Sequence, residues 1–309
     1  MKIRRTGILW AISICFFISC DKFSDPSLNY IYTIPEHVSE DFPVSSLESE
    51  KVNEALITQM TDLIIRDEYK RIDGVLILRN NKLIYENYFH GYSKDVLHNI
   101  YSSAKSNTSL LTGIAVEKGF IKDVNNPILP MLSEYTIQNP DPRKNRITVE
   151  HLLNMSAGLN CDDYYQNTET QMRGAEDWVK FTLDLPMSYE PGTHPSYCTG
   201  GVVVLGRIIE NQSKMTLQEF AARYLFNPLH ITDYKWEIMP DGKASGGGIF
   251  FLRPRDMAKI GSLMLNDGVW NGQQIVLKQW VEKCRQNFVK IPGLFNQKFP
   301  QKLILLCSC

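Results

Sequence analysis

Much of what this 309-residue chain does is narrowed by what it lacks. It has no sustained run of lysine and arginine, and 33 basic residues against 34 acidic ones leave a formal net charge of −1. Nucleic acid is therefore not an expected partner. Its seven cysteines include no C-x-x-C pair and no Cys/His cluster at zinc-like spacing, so no metal is expected. Gly246-Gly247-Gly248 lacks the spacing and the lysine of a phosphate-binding loop, and close backbone packing is the better account of it. There is no internal repeat and no low-complexity stretch. What remains is an ordinary globular composition, 43% hydrophobic and 22% charged, enough for one large domain or two interleaved ones.

The N-terminus carries a targeting signal. MKIRR is basic, and GILWAISICFFIS is apolar-biased but well short of the roughly 20 residues a spanning helix needs. Cys20 follows the small residue Ser19, and FISC resembles a bacterial lipobox, in which the cysteine is acylated and becomes the first residue. The expectation is a signal peptide over 1–19, lipidation at Cys20 and a polar tether over 20–43. The protein is then held to a lipid bilayer in the bacterial cell envelope, facing the periplasm or the exterior. An ordinary secretory signal is the alternative. Either compartment permits a disulfide, and the candidate pair is Cys161 with Cys198.

Periodicity supplies the elements. EKVNEALITQMTDLIIR places Val52, Leu56, Met60, Leu63 and Ile64 on one helical face. GVLILRNNKLIYENYF reads as two strands joined at Asn80-Asn81, a hairpin because asparagine tolerates positive φ. In IYSSAKSNTSLLTGIAVEKG, the residues Leu110, Leu111, Ile114, Ala115 and Lys118 recur at helical spacing, with Gly119 as the stop. Further helices are expected in ITVEHLLNMSAGL (capped by Thr148), AEDWVKFTLDL, GGVVVLGRIIENQ, TLQEFAARYLFNPL, the DMAKIGSLML stretch and LKQWVEKCRQNF. An antiparallel hairpin among helices, without βαβ crossovers, indicates an α/β (α+β) fold.

Ser102 and Lys105 stand three apart at the start of the central helix, hence on one face. A serine hydroxyl is a poor nucleophile until a neighbour takes its proton. A lysine can do so if burial lowers its affinity for the proton, and the helix N-terminus favours negative charge developing nearby. S-x-x-K alone is weak, since it also occurs at Ser19–Lys22. Context strengthens it. HNIYSSAKSNTSLLTGIAVEKGFIKDVNNPILPMLSEY, ITVEHLLNMSAGL, EPGTHPSYCTGGVVVLGRIIE and GGGIFFLRPRDMAKIGSLMLNDGVWNGQQIV follow one another. This order resembles serine hydrolases related to class C β-lactamases and penicillin-binding proteins, from about Gly74 to Gln286.

The resemblance implies a β-lactamase/transpeptidase-like fold, an antiparallel sheet flanked by helices with a mainly helical subdomain over roughly 125–245. It implies Ser102 as nucleophile, Lys105 as base or proton partner and Tyr197 as proton shuttle, with no metal and no organic cofactor. The family's Y-x-N motif is represented by Tyr197-Cys198-Thr199. Thr199 is expected to bind substrate with a shorter reach than asparagine and no amide donor, which favours simple ester or amide substrates. His151 is expected to pack or cap. His194 is a weaker candidate for substrate contact. Asn154–Gly158 lacks the first glycine of a nucleophile elbow.

The family's third motif, Lys/His–Ser/Thr–Gly on a strand beside the nucleophile, has no match in this sequence. The expectation is therefore a domain over 44–293 with C-terminal sheet strands missing, an exposed hairpin edge, one oxyanion donor lost and an aberrant tail over 294–309, as in a truncated or frame-shifted gene. The expected activity is acyl-serine hydrolysis of a small ester, an amide, a D-Ala-D-Ala peptide or a β-lactam. A non-catalytic lipoprotein, or the inactive remnant of such an enzyme, is the rival.

Overall fold

A hairpin whose first strand is buried on both faces organises the molecule. The computed structural model describes residues 30–69 and 71–286, together with the backbone of one later strand, Ile304–Ser308. The leader, Cys20 and the rest of the 294–309 segment lie outside the described residues. Helix α1 (Glu54–Ile65) leads to strands β1 (Gly74–Arg79) and β2 (Lys82–Tyr88), paired antiparallel. Asn80 and Asn81 take φ of 52° and 61°, left-handed values that asparagine accepts at low cost. Val75 and Ile77 face a cluster containing Ile57 and Ile64, whereas Leu76 and Leu78 belong to the main core with Leu110 and Ile114. Burial on both faces explains the unbroken apolar run of β1, and each such side chain contributes about 1.5–3 kcal/mol.

From β3 (His98–Asn99) the chain turns into α2 (Ala104–Glu117). A helical layer follows: α3 (Val149–Leu153), α4 (Thr168–Arg173), α5 (Trp178–Asp184), α6 (Thr199–Ser213) and α7 (Leu217–Ala221). Next come β4 (Tyr234–Trp236) and β5 (Phe250–Leu252), then α8 (Pro254–Leu265), the short pair β6 (Val269–Trp270) and β7 (Gln273–Gln274), and α9 (Lys278–Cys284). β5 pairs with both β3 and β4, and the Ile100 N–H donates to the Phe250 carbonyl at 2.8 Å. This second small sheet fixes the entry to α2. Helix α6 keeps its Val202–Val204 run despite β-branching because it is buried nearly all round, and packing overrides modest propensity.

Four expectations change. Leu56 of α1 is 61% exposed, while Ile57, Thr61 and Ile64 are buried. Thr61 is admitted to the interior because its hydroxyl donates to the Ile57 carbonyl and pairs with the Tyr85 hydroxyl. Helix α2 is enclosed on more than one face, Asn107, Thr108 and Thr112 being buried beside its leucines. The described part of the 20–43 segment is docked rather than loose. The Tyr32 hydroxyl donates to the Ile84 carbonyl at 2.9 Å, and Phe42 packs edge-on against Trp270. Single aromatics anchor this stretch without periodicity. Finally, the edge of β1 expected to be open runs antiparallel beside Ile304–Ser308, Gly74 opposite Ser308 and Leu78 opposite Ile304. An apolar stretch without flanking turn residues can still form a ladder when an edge is available.

Candidate active site

The turn Tyr101–Ser103 presents Ser102 at the mouth of α2. Tyr101 takes φ of 46°, a conformation that costs a non-glycine residue about 1–2 kcal/mol and clusters at functional positions. Its N–H donates to the Asn99 side-chain carbonyl at 2.9 Å, which helps hold the turn. Ser102 is exposed, and Lys105 lies one turn inward and half-buried. The Lys105 Nζ lies 3.3 Å from Ser102 Oγ and donates to the Gly247 carbonyl at 2.8 Å. Burial pushes the Lys105 amine below the ordinary lysine range, and the Glu169 and Asp163 carboxylates pull it back up only in part.

The three consecutive glycines place that carbonyl. A Cβ on Gly247 would come within 2.8 Å of the Thr199 carbonyl, and one on Gly248 within 2.0 Å of Glu237 Oε2. The Thr108 hydroxyl of α2 donates to the Gly246 carbonyl. Residues 246–248 are thus threaded between α2, α6 and Glu237, where no side chain fits, and their backbone serves Lys105.

Tyr197 faces the same point, with Lys105 Nζ 5.2 Å from its ring centroid. Burial pushes the phenol above its ordinary range, and a hydrogen bond with Ser102 draws it partly back. The neighbouring Cys198 is joined to Cys161 by a disulfide with Cα atoms 5.5 Å apart. The bond fastens Tyr197 to the loop that carries Asp163 and Tyr164, whose ring lies 5.1 Å from that of Tyr197.

Ser102, Lys105 and Tyr197 therefore come together, whereas Thr199, read from the motif as a substrate contact, has its side chain buried beside them. Thr199 is fully buried at the first turn of α6, and its N–H donates to Asp163 Oδ2 at 2.7 Å. The reason is local. Cys198 is consumed by the disulfide and offers no capping oxygen, so Asp163 caps α6 instead and draws Thr199 inward. Burial raises the Asp163 carboxyl above its usual range, against the opposing pull of the Thr199 hydrogen bonds and of Lys105. His151 closes a reciprocal cap with Thr148, and exposed His194 stacks on Tyr189.

Four charged residues completing the surroundings are absent from the motif reading: Asp163, Glu169, Arg173 and Glu237. Arg173 donates to Glu169 Oε1 through Nε and Nη2, at 3.0 and 2.8 Å, and also pairs with Glu237. Only the i, i+4 spacing of Glu169 and Arg173 offered a signal. Among the described residues, no group of three His, Cys, Asp or Glu side chains could hold a metal ion.

A mixed helix and antiparallel-sheet body with this arrangement has the β-lactamase/transpeptidase-like fold. The chain belongs to the Beta-lactamase family, whose model matches residues 57–292. It is 28% identical over 262 residues to a 6-aminohexanoate-dimer hydrolase of Paenarthrobacter ureafaciens, covering 79% of this chain and 65% of that protein. It is 28% identical over 187 residues to a lovastatin esterase of Penicillium rubens, covering 53% of this chain and 46% of the esterase. The fold matches the octameric penicillin-binding protein homologue of Pyrococcus abyssi with a TM-score of 0.60 at 18% identity, over 77% of this chain and 61% of that one. The chain thus spans less than two thirds of each of these relatives.

Proposed function

We propose that this chain is a serine hydrolase acting on a small ester or amide through an acyl-serine. The observation that carries the reading is the position of the Lys105 amine, in contact with Ser102 Oγ and held by the Gly247 carbonyl, under the Tyr197 ring. Ser102 Oγ attacks the substrate carbonyl carbon and its proton passes to Lys105 Nζ. The opposite directions in which burial moves the two neighbours divide their roles. The lysine is lowered and serves as base, while the phenol is raised, stays protonated and donates to the leaving group. Lys105 returns its proton to Tyr197 as the amine or alcohol departs. Water, activated by the same pair, then releases the acid from Ser102. Relatives named as a 6-aminohexanoate-dimer hydrolase and a lovastatin esterase support this choice over D-Ala-D-Ala peptides and β-lactams.

The same reading places the protein in the bacterial envelope, anchored through Cys20. Palmitate incorporation that is lost in Cys20→Ser tests that part. For the chemistry, purified full chain is treated with a fluorophosphonate probe and with a fluorescent penicillin. Fluorophosphonate labelling that disappears in Ser102→Ala is expected. Penicillin labelling at Ser102 redirects the substrate toward cell-wall or antibiotic chemistry. Folded protein that takes up neither probe ends this reading in favour of an inert relative.

A further inference from the structure

Lys105 is surrounded by more negative than positive charge, yet it makes no ion pair among the described residues. Asp163 acts on it from the disulfide-bound loop, Glu169 from α4 and Glu237 from the turn after β4, and Arg173 acts on it as a neighbouring cation. Ser102, Tyr197 and the Gly247 carbonyl complete its surroundings. A lysine ammonium is a mobile point charge on a flexible stem. Left beside free carboxylates it would turn to them and stay protonated.

The two glutamates are not free. Arg173 is bound to Glu169 through two N–H groups and to Glu237 through a third, and its guanidinium lies 5.2 Å from the Trp178 ring centroid. Glu237 also accepts the Ile249 N–H at 3.1 Å, and Gly248 leaves it the room to do so. The planar fork of arginine can hold two carboxylates at once, which lysine cannot match.

We propose that Arg173 is a positioning residue: by occupying both Glu169 and Glu237, it keeps these carboxylates from capturing Lys105 and leaves the amine on Ser102. The clamp also steadies the strand of backbone that ends in the Gly247 carbonyl, so it fixes where the amine sits as well as its charge. This inference rests on the proposed role of Lys105, but it makes a claim about the amine that does not require turnover.

The test reads the amine directly. Full chain carrying [¹³Cε]lysine is titrated by NMR, with the Lys105 signal identified by its loss in Lys105→Met. In Arg173→Leu the midpoint is expected to rise by about one pH unit, since an uncompensated carboxylate nearby favours the ammonium. In Glu169→Gln it is expected to fall. Arg173→Lys should recover part of the shift. Where wild type takes up the fluorophosphonate, a rise of that size lowers kcat/KM on the acid limb by about tenfold. A midpoint that stays in place in folded Arg173→Leu overturns the proposal. Should Arg173→Leu not fold, Glu169→Gln decides alone: a fall supports the clamp and an unmoved midpoint rejects it. Loss of probe uptake in wild type would end the hydrolase reading while leaving the titration to judge Arg173.

Discussion

Two ionic clusters in this molecule are built from the same residue types and end in opposite states. Around Arg255 opposite charges meet at bonding distance. The guanidinium binds Glu86 at 2.9 and 2.5 Å, Asp41 at 3.1 Å and the Glu36 carbonyl at 2.8 Å. Lys259 beside it binds Asp256 at 3.0 Å. Burial opposes the charge on Arg255, but the hydrogen bonds to Glu86 and Asp41 outweigh it and push the group up. Around Lys105 the carboxylates are committed elsewhere, one to a helix N-terminus and two to Arg173. The first cluster ties the N-terminal segment, β2 and α8 together. The second leaves an amine whose proton is weakly held. A buried amine whose neighbouring carboxylates are committed elsewhere is what marks the proposed reactive position.

The largest effect expected from this contrast is on turnover. Lys105→Met should lower kcat by about 10²–10⁴ while the thermal midpoint holds or rises, because a partly buried ammonium without an ion pair adds little stability. The pH profile carries the same signature. Neutral amine accumulates as pH rises through a value depressed by burial. Activity should therefore be lost on the acid side, at a midpoint below the ordinary lysine range, and be retained above it. A midpoint at or above that range breaks the assignment.

The Arg255 cluster should respond in reverse. Arg255→Met takes the guanidinium from Glu86 and Asp41, leaving them only the Tyr88 hydroxyl and the more distant Lys259 amine, and should cost about 3–5 kcal/mol in urea unfolding. Lys105 itself should titrate unchanged in the folded variant. Loss of activity without loss of stability in Arg255→Met would erase the distinction between the clusters. The disulfide joins the two kinds of effect. Replacing Cys161 and Cys198 by serine opens a loop of 37 residues and should cost about 2–4 kcal/mol. Turnover should fall with it, because Tyr197 loses its fastening to the Asp163 loop.

The sequence exposed the parts of this site that are local. Helical spacing puts Ser102 and Lys105 on one face and the order of the surrounding segments singles the pair out, while Asn80-Asn81 is legible because a tight turn suits two asparagines in series. The β1 run and the capping role at Thr148 are visible for similar reasons. The Arg173 clamp was not legible. Glu237 lies 64 residues from Arg173, and α4 is too short for its periodicity to register. The glycine triplet reads as close packing, but what it packs against, and that its carbonyl holds Lys105, depends on three separate elements. Phe42 and Tyr32 were missed because an anchor made of single aromatics has no period.

Thr199 offers the smallest and sharpest test, since motif and geometry disagree there. Read from the family's Y-x-N pattern, it should touch substrate, and removing its hydroxyl should raise KM. Read from its burial at the start of α6, it lies behind the reactive face and turns to Asp163. Thr199→Val keeps the volume and the N–H and deletes the hydroxyl. The expected loss is about 1 kcal/mol of stability at most, with KM unmoved, because the substrate never meets that side chain. A several-fold rise in KM without a change in stability would mean that the first turn of α6 opens to admit substrate, and the motif would then have read the site better than the packing does.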